Sequence, residues 1–190
     1  MTFSEEIKQH AFSLGFDACG ICRADNSGKE AQYQKWISEN CHADMEYLER
    51  NMDKRLDPRL LVENAKSIIC VALNYYPKEK LPSHVPQFAY YAYGQDYHDV
   101  VRGKLNQLFD FIQHRVPEAS GRCFSDAAPV LERFWAAQAG LGFIGKNTLL
   151  IIPGKGSYFF LGEIIINLEL DYDTSLTQNC GNCRRCIDAC

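Results

Sequence analysis

At 190 residues, 46% of them hydrophobic, with a formal charge of -4 at pH 7, the chain can bury one substantial core and carries no global positive field to draw it to nucleic acid. No apolar run is long enough to cross a bilayer, and Met1-Thr-Phe-Ser-Glu-Glu lacks the basic-then-apolar order of a signal peptide, so the reading is a cytoplasmic protein with no membrane partner. In a reducing compartment its nine cysteines read as thiols and metal ligands rather than disulfides.

Thr2 with Glu5 forms a capping box, and Ile7, Ala11 and Leu14 recur at helical spacing until Gly15 stops the run. Phe16 to Cys22 is short and apolar and predicts a strand, followed by a helix from Glu30 to Glu39. Asp57-Pro58 reads as an N-cap and first residue of a short helix through Ala65. Ser67 to Tyr75 is a continuous apolar run suited to a central strand. Pro77, Pro82 and Pro86 make a loop, the aromatic run Phe88 to Tyr93 follows, and Val100 to Val116 shows the periodicity of a long amphipathic helix. Gly121 to Asp126 predicts a strand and Pro129 to Ala139 a helix. Asn147 to Ile152 and Tyr158 to Leu168 predict two strands joined as a hairpin by Pro153-Gly-Lys-Gly156. A linker, Asp171 to Gln178, leads to the end. Mixed strands and helices with a late hairpin argue for an α/β or α+β sandwich.

The last residues hold four thiols, Cys180, Cys183, Cys186 and Cys190, at the C-x2-C-x2-C-x3-C spacing by which thiolates ligate iron-sulfur clusters, the fourth normally serving a second cluster. Zinc is the rival, but its sites usually separate two C-x2-C pairs by a longer loop. A second cysteine run would be needed for two clusters, which predicts that the chain is the front part of a longer protein. Gly140-Leu-Gly142-Phe-Ile-Gly145 matches G-x-G-x-x-G, yet a helix precedes it and an apolar stretch follows it, the reverse of a dinucleotide site. Asp96-Tyr97-His98 approaches a cobalt-histidine signature with its glycine, Gly103, two places late; Asp96 as a helix N-cap explains it equally. Asp126 precedes Ala127-Ala128-Pro129, where poor solvation would raise its pKa for general-acid work, and the competing reading is an N-cap for the Pro129 helix. Glu132 and Arg133 follow at a spacing that sets its local charge. Cys19 and Cys22 end a strand rather than open a helix, so they read as buried structural cysteines rather than a redox pair.

Taken in order, Met45 to Arg50, Arg55 to Arg59, Tyr91 to His98, Asp126 to Arg133, Gly140 to Ile151, Gly156 to Glu163 and the terminal cysteines resemble the epoxyqueuosine reductases over nearly the whole chain. The resemblance implies a cobalamin and iron-sulfur oxidoreductase, related to reductive dehalogenases, that reduces epoxyqueuosine to queuosine at the tRNA wobble position. It implies an α+β fold with a nitroreductase-like mixed sheet flanked by helices at residues 1–170, binding base-off cobalamin. Residues 171–190 would begin a two-cluster 4Fe-4S ferredoxin-like module whose remainder lies outside the chain. By the same resemblance Asp126 is the catalytic proton donor and Tyr97 lies beside the substrate, Arg133 lines the pocket, Lys146, Asn147, Ser157 and Tyr158 border the corrinoid, and Cys180, Cys183, Cys186 and Cys190 bind metal. The implied partners are a tRNA anticodon loop, for which Tyr90, Tyr91 and Tyr93 could be stacking platforms or equally core aromatics, and an electron donor such as a flavodoxin or ferredoxin system, with the protein a monomer. A dehalogenase-like enzyme acting on a small molecule, a non-catalytic iron-sulfur carrier and a zinc-supported RNA-binding module remain as rival readings.

Overall fold

A computed structural model describes residues 1–190. Helix α1, Phe3–Ser13, starts at the predicted capping box, with Thr2 accepting from the Glu5 amide and the Glu5 carboxylate accepting from the Thr2 amide, and buries Ile7 and Ala11. Strand β1, Ala18–Arg23, follows, then α2, Glu30–Ser38, and α3, Met52–Leu56. Asp57 does cap what comes next, accepting from the Arg59 amide, but the helix expected through Ala65 is a single 3-10 turn, Pro58–Leu60.

Four strands form one sheet in the order β1, β2 (Ser67–Asn74), β6 (Phe159–Ile166), β3 (Gly121–Phe124). Every pairing in it is antiparallel, so the mixed sheet expected from the resemblance is corrected to an antiparallel one. Strands β2 and β6 run down the middle, which is why both read as largely apolar stretches rather than alternating ones, with Glu163 the single charge among them. The predicted hairpin is also corrected. The turn after Pro153 closes only one bridge, Ile152 to Gly156, and β6 leaves it to pair with β2 and β3. The hairpin that forms instead joins β4, Phe143–Ile144, to β5, Leu150–Ile151.

Two cores lie on the two faces of the sheet. On one, α1 and the long helix α4, Tyr97–Arg115, pack Ile7, Val101, Leu105, Leu108 and Ile112 against Ile69, Val71, Ile164 and Ile166. Gly162 permits this approach, because a Cβ there would lie 2.9 Å from Leu105 Cδ1 and 3.0 Å from Val101 Cγ1. On the other face α5, Glu132–Gln138, and the β4–β5 hairpin pack Trp135, Ala136, Leu141 and Leu150 against Ile68, Cys70, Ala72 and Ile165. The helix expected from Pro129 starts three residues later, leaving Ser125 to Leu131 as a loop. Beyond β6 the chain stays tied to the body: the Asp173 carboxylate accepts from the Ile21 amide at 2.8 Å and from Lys8 at 2.6 Å. The chain ends with α6, Arg185–Asp188.

Candidate functional site

Asp126 sits where β3 runs out, in the left-handed region at φ 57°, a conformation uncommon for a residue with a Cβ. It caps no helix. Its backbone amide donates to Glu132 Oε1 at 2.5 Å, its Oδ2 accepts from the Tyr97 hydroxyl, and His98 Nε2 lies 3.6 Å from the same oxygen. The side chain is 59% exposed, so the apolar surroundings suggested by Ala127, Ala128 and Pro129 are not realised at the carboxyl. The less exposed acid is the half-buried Glu132, whose pKa is pushed up to about 7 chiefly by desolvation of its carboxyl. Tyr97 is the first residue of α4, half-buried, with its ring flat on Phe160 at 4.1 Å and on His98 at 4.0 Å. Burial first, and then the bond to Asp126, raise its phenol above the usual tyrosine range, so it remains a donor. Asp96 caps α4 as expected, accepting from the His98 amide at 2.9 Å and facing His98 Nδ1 at 2.8 Å. His98, set aside by the spacing argument, is thereby brought to Asp126.

Two arms extend from this acid. One is a row of aromatic rings from Tyr97 through Phe160, Tyr75 and Tyr158 to Tyr76, Tyr90 and Tyr93, with Lys80 lying over Tyr76 and Tyr90. Tyr158 and Tyr91 are exposed, whereas Tyr90 and Tyr93 are half-buried. The other arm runs through Arg133, whose guanidinium donates to the Thr148 carbonyl at 2.7 Å, onto the hairpin that exposes Ile144 and Leu149. Asn147 is turned to its own loop and accepts from the Leu149 amide, while Ser157 is half-buried between the arms. Gly142 serves the hairpin itself: a Cβ there would lie 2.3 Å from the Ile151 carbonyl. That explains the glycine pattern without a dinucleotide.

Lys146 donates to the carbonyls of Gly181 at 2.8 Å and Cys183 at 3.0 Å, docking the cysteine loop on the hairpin around a cleft of about 260 Å³ lined by Ile144, Asn179 and Cys180. Cys180 is half-buried and Cys183, Cys186 and Cys190 are exposed, and no three His, Cys, Asp or Glu side chains converge to hold a metal ion. Four thiols at this spacing on an open loop are a donor set that iron and sulfide can gather, because thiolates without a metal have no attraction to hold them together. A second cleft, about 240 Å³, lies by Arg102, Arg122 and Phe124. Neither cleft reaches the roughly 300–1,000 Å³ of sites that enclose a small ligand. Ile144 and Leu149 on the hairpin and Tyr158 ahead of β6 are exposed apolar groups of the kind a flat ring laid on an open face would cover. Cys19 and Cys22 are structural, on opposite faces of β1, with burial raising the Cys19 thiol to about 12.

A family model described as epoxyqueuosine reductase QueG, DUF1730, matches residues 55–127. An epoxyqueuosine reductase of Cellulophaga algicola is 48% identical over 188 residues, 98% of this chain. Over nearly its whole length the chain is similar to the epoxyqueuosine reductases. It spans 61% of that relative's length. The epoxyqueuosine reductase structure from Streptococcus thermophilus superimposes with a TM-score of 0.91 at 32% identity, covering all of this chain and 52% of its own. An epoxyqueuosine reductase structure with an epoxyqueuosine-modified tRNA-Tyr stem loop gives 0.81 at 31%, covering 97% of this chain and 50% of its own. A reductive dehalogenase described by a mechanism for B12-dependent dehalogenation gives 0.58 at 18% identity over 91% of this chain and 20% of its own, a likeness of fold alone. The residue to which the sequence pattern alone assigned no role is Glu163, a charged position within an otherwise apolar strand, fully buried on β6.

Proposed function

We propose that this chain carries the cofactor-binding and acid-bearing part of an enzyme that reduces epoxyqueuosine in tRNA to queuosine, a nitroreductase-like domain leading into a ferredoxin-like module. The observation that carries the reading is Asp126, exposed yet held from both sides by Tyr97 and Glu132. Cobalamin and 4Fe-4S clusters, when bound, would supply two low-potential electrons. Tyr158, Ile144, Leu149 and the region of Arg133, Asn147 and Ser157 would hold the ring, and the thiols of Cys180, Cys183, Cys186 and Cys190 would hold iron. In the overall change both carbon-oxygen bonds of the epoxide break, a carbon-carbon double bond forms, two electrons enter, and the oxygen leaves as water with two protons. Asp126 presents a proton to the departing oxygen, and Tyr97 orients that carboxyl through its hydroxyl.

A wobble base must leave its stack to be reduced, and exposed aromatic faces are what unstacked bases bind. Tyr91 and Tyr158 supply such exposed faces, and Lys80 lies over the rings of Tyr76 and Tyr90 next to them in the chain and in the aromatic row. The dehalogenase likeness brings no residue-level support for a small halogenated substrate. In the complete enzyme, handled anaerobically, Asp126→Asn should retain the corrinoid absorbance and lose conversion of epoxyqueuosine tRNA. Normal conversion by that variant would refute the role of Asp126, and failure of the unaltered enzyme to convert the modified tRNA would refute the function.

A further inference from the structure

Two protons are consumed for each oxygen removed, and of the two exposed carboxyls at the site Asp96 is engaged as the α4 cap and by His98, leaving Asp126 to deliver them. Directly behind it the structure holds two more. Glu132 opens α5 and its Oε1 accepts the Asp126 amide at 2.5 Å, so any change of charge on Glu132 is felt at the Asp126 peptide. Glu163 lies deeper on β6, paired across the sheet with Cys70 on one side and Phe124 on the other, on the face covered by α5. It has no exposure, and neither of its carboxyl oxygens has a hydrogen-bond partner. A buried, unpaired carboxylate costs several kcal/mol, so Glu163 is held as the neutral acid, with a proton but no structural bond to explain its presence.

We propose that Glu132, backed by Glu163, is an internal proton store that recharges Asp126 between the two protonations of one turnover, making Glu132 a positioning residue for the acid. This rests on the reading of Asp126 as proton donor. The surroundings of both groups agree. Facing Glu132 are Asp126 from the loop, Tyr97 and His98 from α4, Arg133 on its own helix and Glu163 from β6. Facing Glu163 are only Glu132 and the thiols of Cys22 and Cys70, and burial raises the Cys70 thiol as well, so no cation is present to ionise it. Like charges so placed cannot all form in a buried space, and a proton given up by one is favoured to be replaced from the next. Glu132 titrates near 7, where it can both give and take a proton, whereas Glu163 is raised further by burial and by Glu132.

Two measurements test this independently. In infrared titrations of the chain without cofactors, the carbonyl stretch of a protonated carboxyl should persist to about neutral pH and disappear in Glu132→Gln, and a second band should outlast it and disappear in Glu163→Gln. Absence of both bands at neutral pH would overturn the proposal. In the complete enzyme, Glu132→Gln should slow turnover about tenfold at alkaline pH and recover toward the unaltered rate under acidic conditions, where solvent protons recharge Asp126, with Glu132→Asp retaining most activity at both. A pH profile of Glu132→Gln parallel to that of the unaltered enzyme would overturn it, and if the glutamine variant fails to fold, loss of the alkaline limb in Glu163→Gln decides instead. If the unaltered enzyme reduces no epoxyqueuosine at any pH, the function is wrong, and the infrared bands still judge the proton store.

Discussion

Tyr97→Phe isolates one atom of the candidate site. The ring rests on Phe160 with an interplanar angle of 3° and on His98 at 28°, and phenylalanine keeps both stacks while deleting the hydroxyl that donates to Asp126. A hydrogen bond to a charged group is worth about 1.5–3 kcal/mol, but Asp126 is largely exposed, so water replaces part of it and about 1 kcal/mol remains. If Tyr97 orients Asp126 for proton delivery, that loss appears in the barrier, and about 1.4 kcal/mol per tenfold makes the rate fall roughly fivefold. Stability should barely change, because the melting temperature of a chain of this size moves about 2–4 °C for each kcal/mol. Tyr97→Ala also removes the stacking, worth about 0.5–1.5 kcal/mol beyond area burial, and should lower both rate and melting temperature. The assay is single-turnover conversion of epoxyqueuosine tRNA by the complete enzyme, paired with thermal melts of each variant. A Phe variant as fast as the unaltered enzyme, with the Ala variant slow, would show that the ring matters and the hydroxyl does not.

Stability should depend on pH through Glu132. Its folded-state pKa is raised from 4.5 to about 7, so its contribution is complete below the unfolded value and is lost as pH climbs through 7. At about 1.4 kcal/mol per pH unit the loss is up to roughly 3 kcal/mol, which urea midpoints measured across that range should reveal and Glu132→Gln should flatten. Glycine substitutions should split in sign. Gly142→Ala, whose Cβ meets the Ile151 carbonyl at 2.3 Å, should destabilise by about 1–3 kcal/mol in thermal melts, whereas Gly103→Ala, inside α4 with open space around it, should stabilise by about 0.5–1 kcal/mol. Lys146→Met removes the donor to the Gly181 and Cys183 carbonyls and should weaken iron binding after anaerobic reconstitution by about 10-fold or more, as loss of an outer-shell contact does, with Cys183→Ser losing more. Equal iron retention in Lys146→Met would refute the docking role of that side chain.

Local signals in the sequence translated well. The Thr2 and Glu5 box, the Asp96 cap and the periodicity of Leu105, Leu108 and Ile112 all depend on neighbours within a turn or two, and each is found in the structure, although Val101 rather than Val100 takes the first buried place. What failed depended on distant partners. The turn residues at Pro153 to Gly156 announce a hairpin, but Ile164, Ile165 and Ile166 gain more by entering the middle of the sheet, where β2 and β3 cover both edges of their strand. Asp126 looked buried because its neighbours are small and apolar, and the left-handed turn that lifts its carboxyl to the surface leaves no mark in composition. Glu163 did leave a mark. Leu161, Glu163 and Ile165 alternate on one face of β6, so a charge among them predicts a buried acid on the α5 side.

The placement of the acid follows from the layering. Helix α4 belongs to one layer and α5 to the other, and both begin at the end of the sheet where β3 stops, so Tyr97 and Glu132 approach Asp126 from opposite faces. No single layer could do this. A residue held only from the α4 side would keep its hydroxyl contact but lie free to swing, and one held only from α5 would be buried with Glu132. Strand β6 joins the two arrangements, because Phe160 supports the Tyr97 ring on one face and Glu163 stands behind Glu132 on the other. A one-residue slip of β6 would exchange those faces, turning Glu163 toward the α4 layer and Phe160 toward the α5 layer, so the register of this strand governs both the orientation of the exposed acid and the proton held behind it.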